Sequence, residues 1–87
     1  MDTSIKITIH DADKIVYEGQ AESITTFNER GVFDILPYHT QFISIIKTSI
    51  TINNKGQEKK EFTIDSGILE VLNNEVNVFL GIDVVRI

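Results

Sequence analysis

Three acids stand where a calcium loop would need them: Asp11, Asp13 and Glu22 occupy the first, third and twelfth positions of a loop opening at Asp11-Ala12-Asp13. Such a loop also requires Asp or Asn at its fifth position and Gly at its sixth, one as a ligand and the other for a sharp turn. Ile15 and Val16 stand there instead, so the run reads as an acidic hairpin turn. The two histidines, His10 and His39, are of a type that ligates zinc or, beside a hydroxyl such as that of Ser66, activates a nucleophile. Neither sits in a motif that places a second ligand or a base next to it, and each reads as a hydrogen-bonding or interface residue in a loop. Glu58-Lys59-Lys60-Glu61 reads as a solvated strand end whose lysines discourage edge-to-edge pairing. No glycine cluster precedes a helical pattern, as a phosphate loop would require.

The elements that must position these residues follow from composition and period. Ile and Val together number 22 against six Leu and Ala, and side chains stiff at χ1 favour pleated surfaces over helices. Ile5, Ile7 and Ile9 alternate with Lys6 and Thr8, the signature of a one-sided strand. Further short strands are predicted at Ile15 to Tyr17, Glu22 to Phe27, Val32 to Leu36 and Phe42 to Ile52, the last with a bulge or bend where Ile45 and Ile46 break alternation. Glu61 to Ile64, Ile68 to Leu72, Val76 to Leu80 and Ile82 to Ile87 complete the set, with Asn53-Asn54-Lys55-Gly56-Gln57, Asp65-Ser66-Gly67 and Asn73-Asn74 as turns. Eight to ten short strands at this spacing predict an all-β fold, an antiparallel β-sandwich of about ten short strands, as one domain over residues 1–87.

At 87 residues such a domain buries only about 60% of its unfolded surface. With no cysteine, neither disulfides nor thiolate metal sites supplement the core, which suits a reducing cytoplasm. The start, Met1-Asp2-Thr3-Ser4, lacks the basic and apolar regions of a leader, and no apolar run approaches a membrane span. A net charge of −5 argues against a surface that neutralises nucleic-acid phosphates.

Two segments are more particular than generic β-protein. Gly31-Val32-Phe33-Asp34-Ile35-Leu36-Pro37-Tyr38-His39-Thr40, followed by Phe42-Ile43, joins a tight turn, a short strand, a proline stop and an aromatic-histidine loop, and loops of this kind commonly carry binding. The other is Asp65-Ser66-Gly67-Ile68-Leu69-Glu70-Val71, ahead of Glu75-Val76-Asn77-Val78. Both resemble, in order and spacing, the N-terminal domain of the F-type ATP synthase ε subunit, called δ in mitochondria. Val16-Tyr17-Glu18-Gly19 and Glu22-Ser23-Ile24 extend the resemblance over nearly the whole chain. Departures occur at Val32, where many members have an acid, at Asp34 and Tyr38, which replace glycines, at Gln41, which replaces a proline, and at Asp65-Ser66, which replaces Ser-Gly.

The resemblance implies a non-catalytic rotor subunit without active site, metal or cofactor. It would connect the γ subunit to the ring of c subunits, peripheral at the cytoplasmic face of a bacterial inner membrane and touching the membrane only through the complex. It assigns Asn28, Glu29, Arg30, Gly31 and Val32 to a loop facing the c-ring, and Tyr38, His39, Thr40 and Phe42 to a region near γ. Gly31, Pro37 and Gly67 would be structural turns. The family pattern continues into a helical hairpin, whereas this sequence stops at Ile87, implying the sandwich without that arm. The alternative is a free-standing sandwich that binds a peptide or sugar in its loops, or a very small hydrolase using His39 with an acid.

Overall fold

The computed structural model describes residues 4–38 and 41–81, and among them every regular element is a strand. The strands are β1 (Ile5–Asp11), β2 (Lys14–Ala21), β3 (Ser23–Asn28), β4 (Gly31–Ile35), β5 (Phe42–Asn53), β6 (Lys60–Leu72) and β7 (Glu75–Leu80). They form one continuous sheet in the order β2-β1-β7-β6-β5-β3-β4.

That sheet must fold over on itself. In a flat sheet β1 and β3 would lie about 19 Å apart, four strand spacings. Yet Ile5, Ile7 and Ile9 of β1 share one buried cluster with Ile24 of β3 and Ile35 of β4. Tyr17 of β2 and Phe62 of β6, three strands apart in the order, approach to 5.3 Å between ring centroids. The product is a sandwich whose core is almost wholly branched aliphatic, with Ala21, Ile46, Ile50, Ile52, Ile64, Leu69, Val71, Val76 and Val78 completing it. Burying each such side chain stabilises the fold by about 1.5–3 kcal/mol.

The all-β sandwich class is as expected, but strand number and direction need correction. Seven strands are described where about ten were expected, chiefly because β6 runs unbroken through the two expected strands Glu61 to Ile64 and Ile68 to Leu72. The expected turn Asp65-Ser66-Gly67 is strand: β6 continues through it, and Asp65 is the extra residue where the β5–β6 register shifts opposite Lys47 and Thr48. Thr48 has φ 77°, an uncommon conformation for a β-branched residue, and this bulge bends both strands at the fold line. Buried Thr26 anchors the bend by donating its hydroxyl to the Ser49 carbonyl at 2.7 Å. Pairing is antiparallel except that β1 and β7 run parallel. The final expected strand, Ile82 to Ile87, lies outside the described residues.

Turn chemistry is as the residues require in three hairpins. Asn73 and Asn74 both take positive φ, 51° and 61°, as a two-residue primed turn demands. Gly56 does so in the β5–β6 connection and Gly31 at the end of the β3–β4 turn. A clasp of hydrogen bonds ties the β2–β3 corner to the β5–β6 hairpin. Glu22 N–H donates to Asn53 O at 2.9 Å, Asn54 Nδ2 donates to Gln20 O at 2.9 Å, and Lys55 N–H donates to the Glu22 carboxylate.

Candidate interaction site

The β3–β4 hairpin presents its tip through local chemistry. The Asn28 side-chain oxygen accepts the Arg30 backbone N–H at 2.9 Å, an Asx turn that holds Glu29 and Arg30 outward. Asn28 pairs with Gly31, so the loop proper is only those two residues. Gly31 sits at φ 116° with open space around its Cα, so backbone conformation alone makes it glycine. Val32 follows, 63% exposed.

Beside this tip runs a groove of about 520 Å3. One wall is Asn28, Glu29 and Arg30, and the other is Ile43, Ser44, Ile45 and Lys47 of β5. Alternate residues on a strand point to opposite faces, so a groove touching 43, 44 and 45 in succession lies along the edge of β5 and not on one face. Asn28 Nδ2 reaches Ser44 Oγ across it at 3.5 Å, and that hydroxyl donates to the Ile45 carbonyl at 3.3 Å. Ile43 is 69% and Ile45 42% exposed on the β5 wall, beside the charges of Glu29, Arg30 and Lys47, and the exposed Val32 follows the tip on β4. The β5 wall was missed in the sequence, although Ile45 beside Ile46 signals apolar residues on both faces.

Other expected residues lie elsewhere. Tyr38 is 64% exposed with φ 64°, and its N–H donates to Asn74 Oδ1 at 2.5 Å, which places it by the β6–β7 turn. From Phe42 to Lys47, β5 spans about 16 Å, so the Tyr38 region and the hairpin tip are separate ends of one flank. Phe42 is part-buried against the core and meets Phe33 edge-on at 6.0 Å. His39 and Thr40 fall outside the described residues. Pro37 follows two residues after β4 ends, as expected of a strand stop.

Gly67 is not a turn residue: it is buried within β6, where a Cβ would come 2.8 Å from Leu80 Cδ2 and 3.0 Å from the Phe79 carbonyl oxygen. Close approach of β7, not conformation, requires it. His10 stacks on Phe79 with centroids 4.7 Å apart, and its Nε2 lies 3.1 Å from Asn77 Oδ1. Asp11 and Glu22 sit beyond opposite ends of the eight-residue β2, about 26 Å of strand apart. Ser66 lies at the β6 bulge, and Lys60 Nζ lies 5.2 Å from the Tyr17 ring centroid. Among the described residues no three of His, Cys, Asp or Glu gather to hold a metal ion, and no helix is long and apolar enough to cross a membrane.

These features define a β-sandwich domain with exposed apolar side chains along one flank. Comparison with known proteins says which kind. Residues 4–81 match the family model of the ATP synthase delta/epsilon chain β-sandwich domain. The ATP synthase epsilon chain of Clostridium novyi is 40% identical over 78 residues, covering 87% of this chain and 59% of the relative. That of Clostridium kluyveri is 34% identical over 80 residues, covering 90% and 60%. In fold, the chain superposes with a TM-score of 0.82 and 17% identity on a chain of the Euglena gracilis mitochondrial ATP synthase, solved as OSCP/F1/c-ring, covering 92% of this chain and 52% of that one. The chain belongs to the delta/epsilon family of ATP synthase subunits. It spans about three fifths of the length of these curated relatives.

Proposed function

We propose that this chain is a rotor component of an F-type ATP synthase, a non-catalytic central-stalk subunit that connects γ to the c-ring and transmits rotation between them. The observation that carries the reading is the flank built by the β3–β4 tip and β5, where Val32, Ile43 and Ile45 stand exposed in a member of this family. A stable interface of standard size buries about 1,600 Å2 in total, more than a groove and three side chains supply, so two contact regions are needed. Asn28 to Val32 meet the c-ring, and Tyr38, His39, Thr40 and the start of β5 approach γ. Residues 1–87 act as one unit held at the cytoplasmic face of a bacterial inner membrane through these contacts. Relatives whose structures were solved within ATP synthase assemblies containing the c-ring support this reading.

The experiment is affinity capture of the tagged chain from detergent-solubilised native membranes. Recovery of γ and c subunits is expected. A free-standing peptide- or sugar-binding module would recover neither, and that result would overturn the proposal.

A further inference from the structure

Among the described residues, part of β5 has a strand partner on one side only. β3 pairs with β5 only as far as Lys47, through Phe27, while β6 accompanies β5 back to Phe42. Over residues 43–46, therefore, β5 has β6 on one side and no described strand on the other. In an antiparallel strand every second residue turns both its N–H and its C=O away from the existing partner. Two of these four residues thus present backbone donors and acceptors to the groove. The groove is where such a segment would lie, since it follows the edge of β5 through consecutive residues and is walled on its far side by Asn28, Glu29 and Arg30.

From this geometry we propose that the β5 edge at residues 43–46 is a strand-addition site, and that an extended segment of γ carrying an acidic side chain pairs with it. The proposal rests on the stalk reading above, which supplies the partner. Three observations select the occupant. Backbone groups along an edge are matched by another extended backbone, whatever its sequence. Ile43 and Ile45 stand exposed on one face of that edge, so every second side chain of the added strand is apolar. Arg30 and Lys47 both line the groove against the single acid Glu29, an excess of positive charge in a chain whose net charge is −5, so the added segment bears a carboxylate there. The edge also lies between the Tyr38 region and the hairpin tip, joining the two proposed contacts into one surface.

The test is amide hydrogen exchange on the chain, free and bound to a reconstituted αβγ head. Bound chain should exchange two of the four amides at 43–46 at least ten-fold more slowly than free chain, while the outer edge of β2 at 15–20 is unchanged. Whichever of the neighbouring residues Ser44 and Ile45 gains protection on binding, its replacement by Pro, which deletes that N–H, should weaken binding to γ roughly ten-fold, where Ile45→Val binds normally. Binding with no change in exchange at 43–46 would overturn strand addition and leave the stalk reading standing. Absence of any binding to the head would overturn the stalk reading itself. Protection at 43–46 in the free chain, rising with its concentration, would assign the edge to a second copy and refute γ as its occupant.

Discussion

Replacing Gly67 by Val tests whether the sandwich depends on close approach of β7 to the bulged strand. Gly67 pairs with Ile46 on one side and Leu80 on the other, and it is buried. A Cβ there comes 2.8 Å from Leu80 Cδ2, which can swing away at an off-rotamer cost of about 0.5–1.5 kcal/mol. The Phe79 carbonyl oxygen at 3.0 Å is backbone held in the β6–β7 ladder and has no such escape. Overpacking of this kind costs about 1–3 kcal/mol, and the two further methyl groups of valine place the total near the upper end. Gly67 does not occupy positive φ, so restricting the unfolded chain returns about 0.4–1 kcal/mol, leaving a net loss of about 2 kcal/mol. For 87 residues, 1 kcal/mol corresponds to about 5 °C in Tm, so the expected drop is about 10 °C by far-UV circular dichroism. Leu80→Ala in the same background should recover part of it, because one of the two clashing atoms is then gone. A Gly67→Val protein that melts with the parent would refute the close-approach argument, and a double variant with purely additive losses would refute the role of Leu80.

Four more outcomes are expected. Thr26→Val should cost about 1–3 kcal/mol in urea denaturation, since it leaves the Ser49 carbonyl without its buried hydroxyl donor at the bend, and an unchanged midpoint would show the bend needs no such anchor. Gly31→Ala should cost about 1–3 kcal/mol from conformation alone, because no atom lies within 4 Å of the added methyl; equal stability would mean the hairpin tip can relax out of φ 116°. Ile43→Asp should leave Tm within about 2 °C but abolish co-purification with γ and the c-ring, whereas retained assembly would move the interface off this flank. Cysteine placed at Glu29 or Val32 should crosslink to a cysteine in the c-subunit polar loop, and failure at both with γ binding intact would place the c-ring contact elsewhere.

Alternation alone located most strands, because Ile5-Ile7-Ile9 and Val76-Val78 put aliphatic groups on one face and the fold buries that face. Asp65-Ser66-Gly67 misled for a definite reason: the residue types that make turns also make bulges, and the register shift of the partner strand is a tertiary fact. A break in alternation at Ile45 and Ile46 did signal the bend, two residues early, since the shift falls between Lys47 and Thr48. Parallel pairing of β1 with β7 joins segments distant in sequence and leaves no local trace. Of the site, the hairpin tip was legible from Asn28 and Gly31, while its β5 wall was not, because Ile43 and Ile45 look like core until Ile46 and Ile50 are seen to face inward instead.

The parallel pairing also sets a timetable. Among the described strands β1 has one partner besides β2, which it meets through residues 75–80, so Ile5, Ile7 and Ile9 cannot be covered in their final way until β7 exists. During synthesis at roughly 5–20 residues per second, the interval between β1 and β7 is several seconds, in which an isoleucine-rich hairpin waits unshielded. Contacts so distant along the chain make folding a late, all-or-none closure on a millisecond to second scale instead of a progressive one. Chaperone demand should therefore peak on nascent chains that have released β1 and β2 but not yet β7, and fall once the β6–β7 hairpin has emerged.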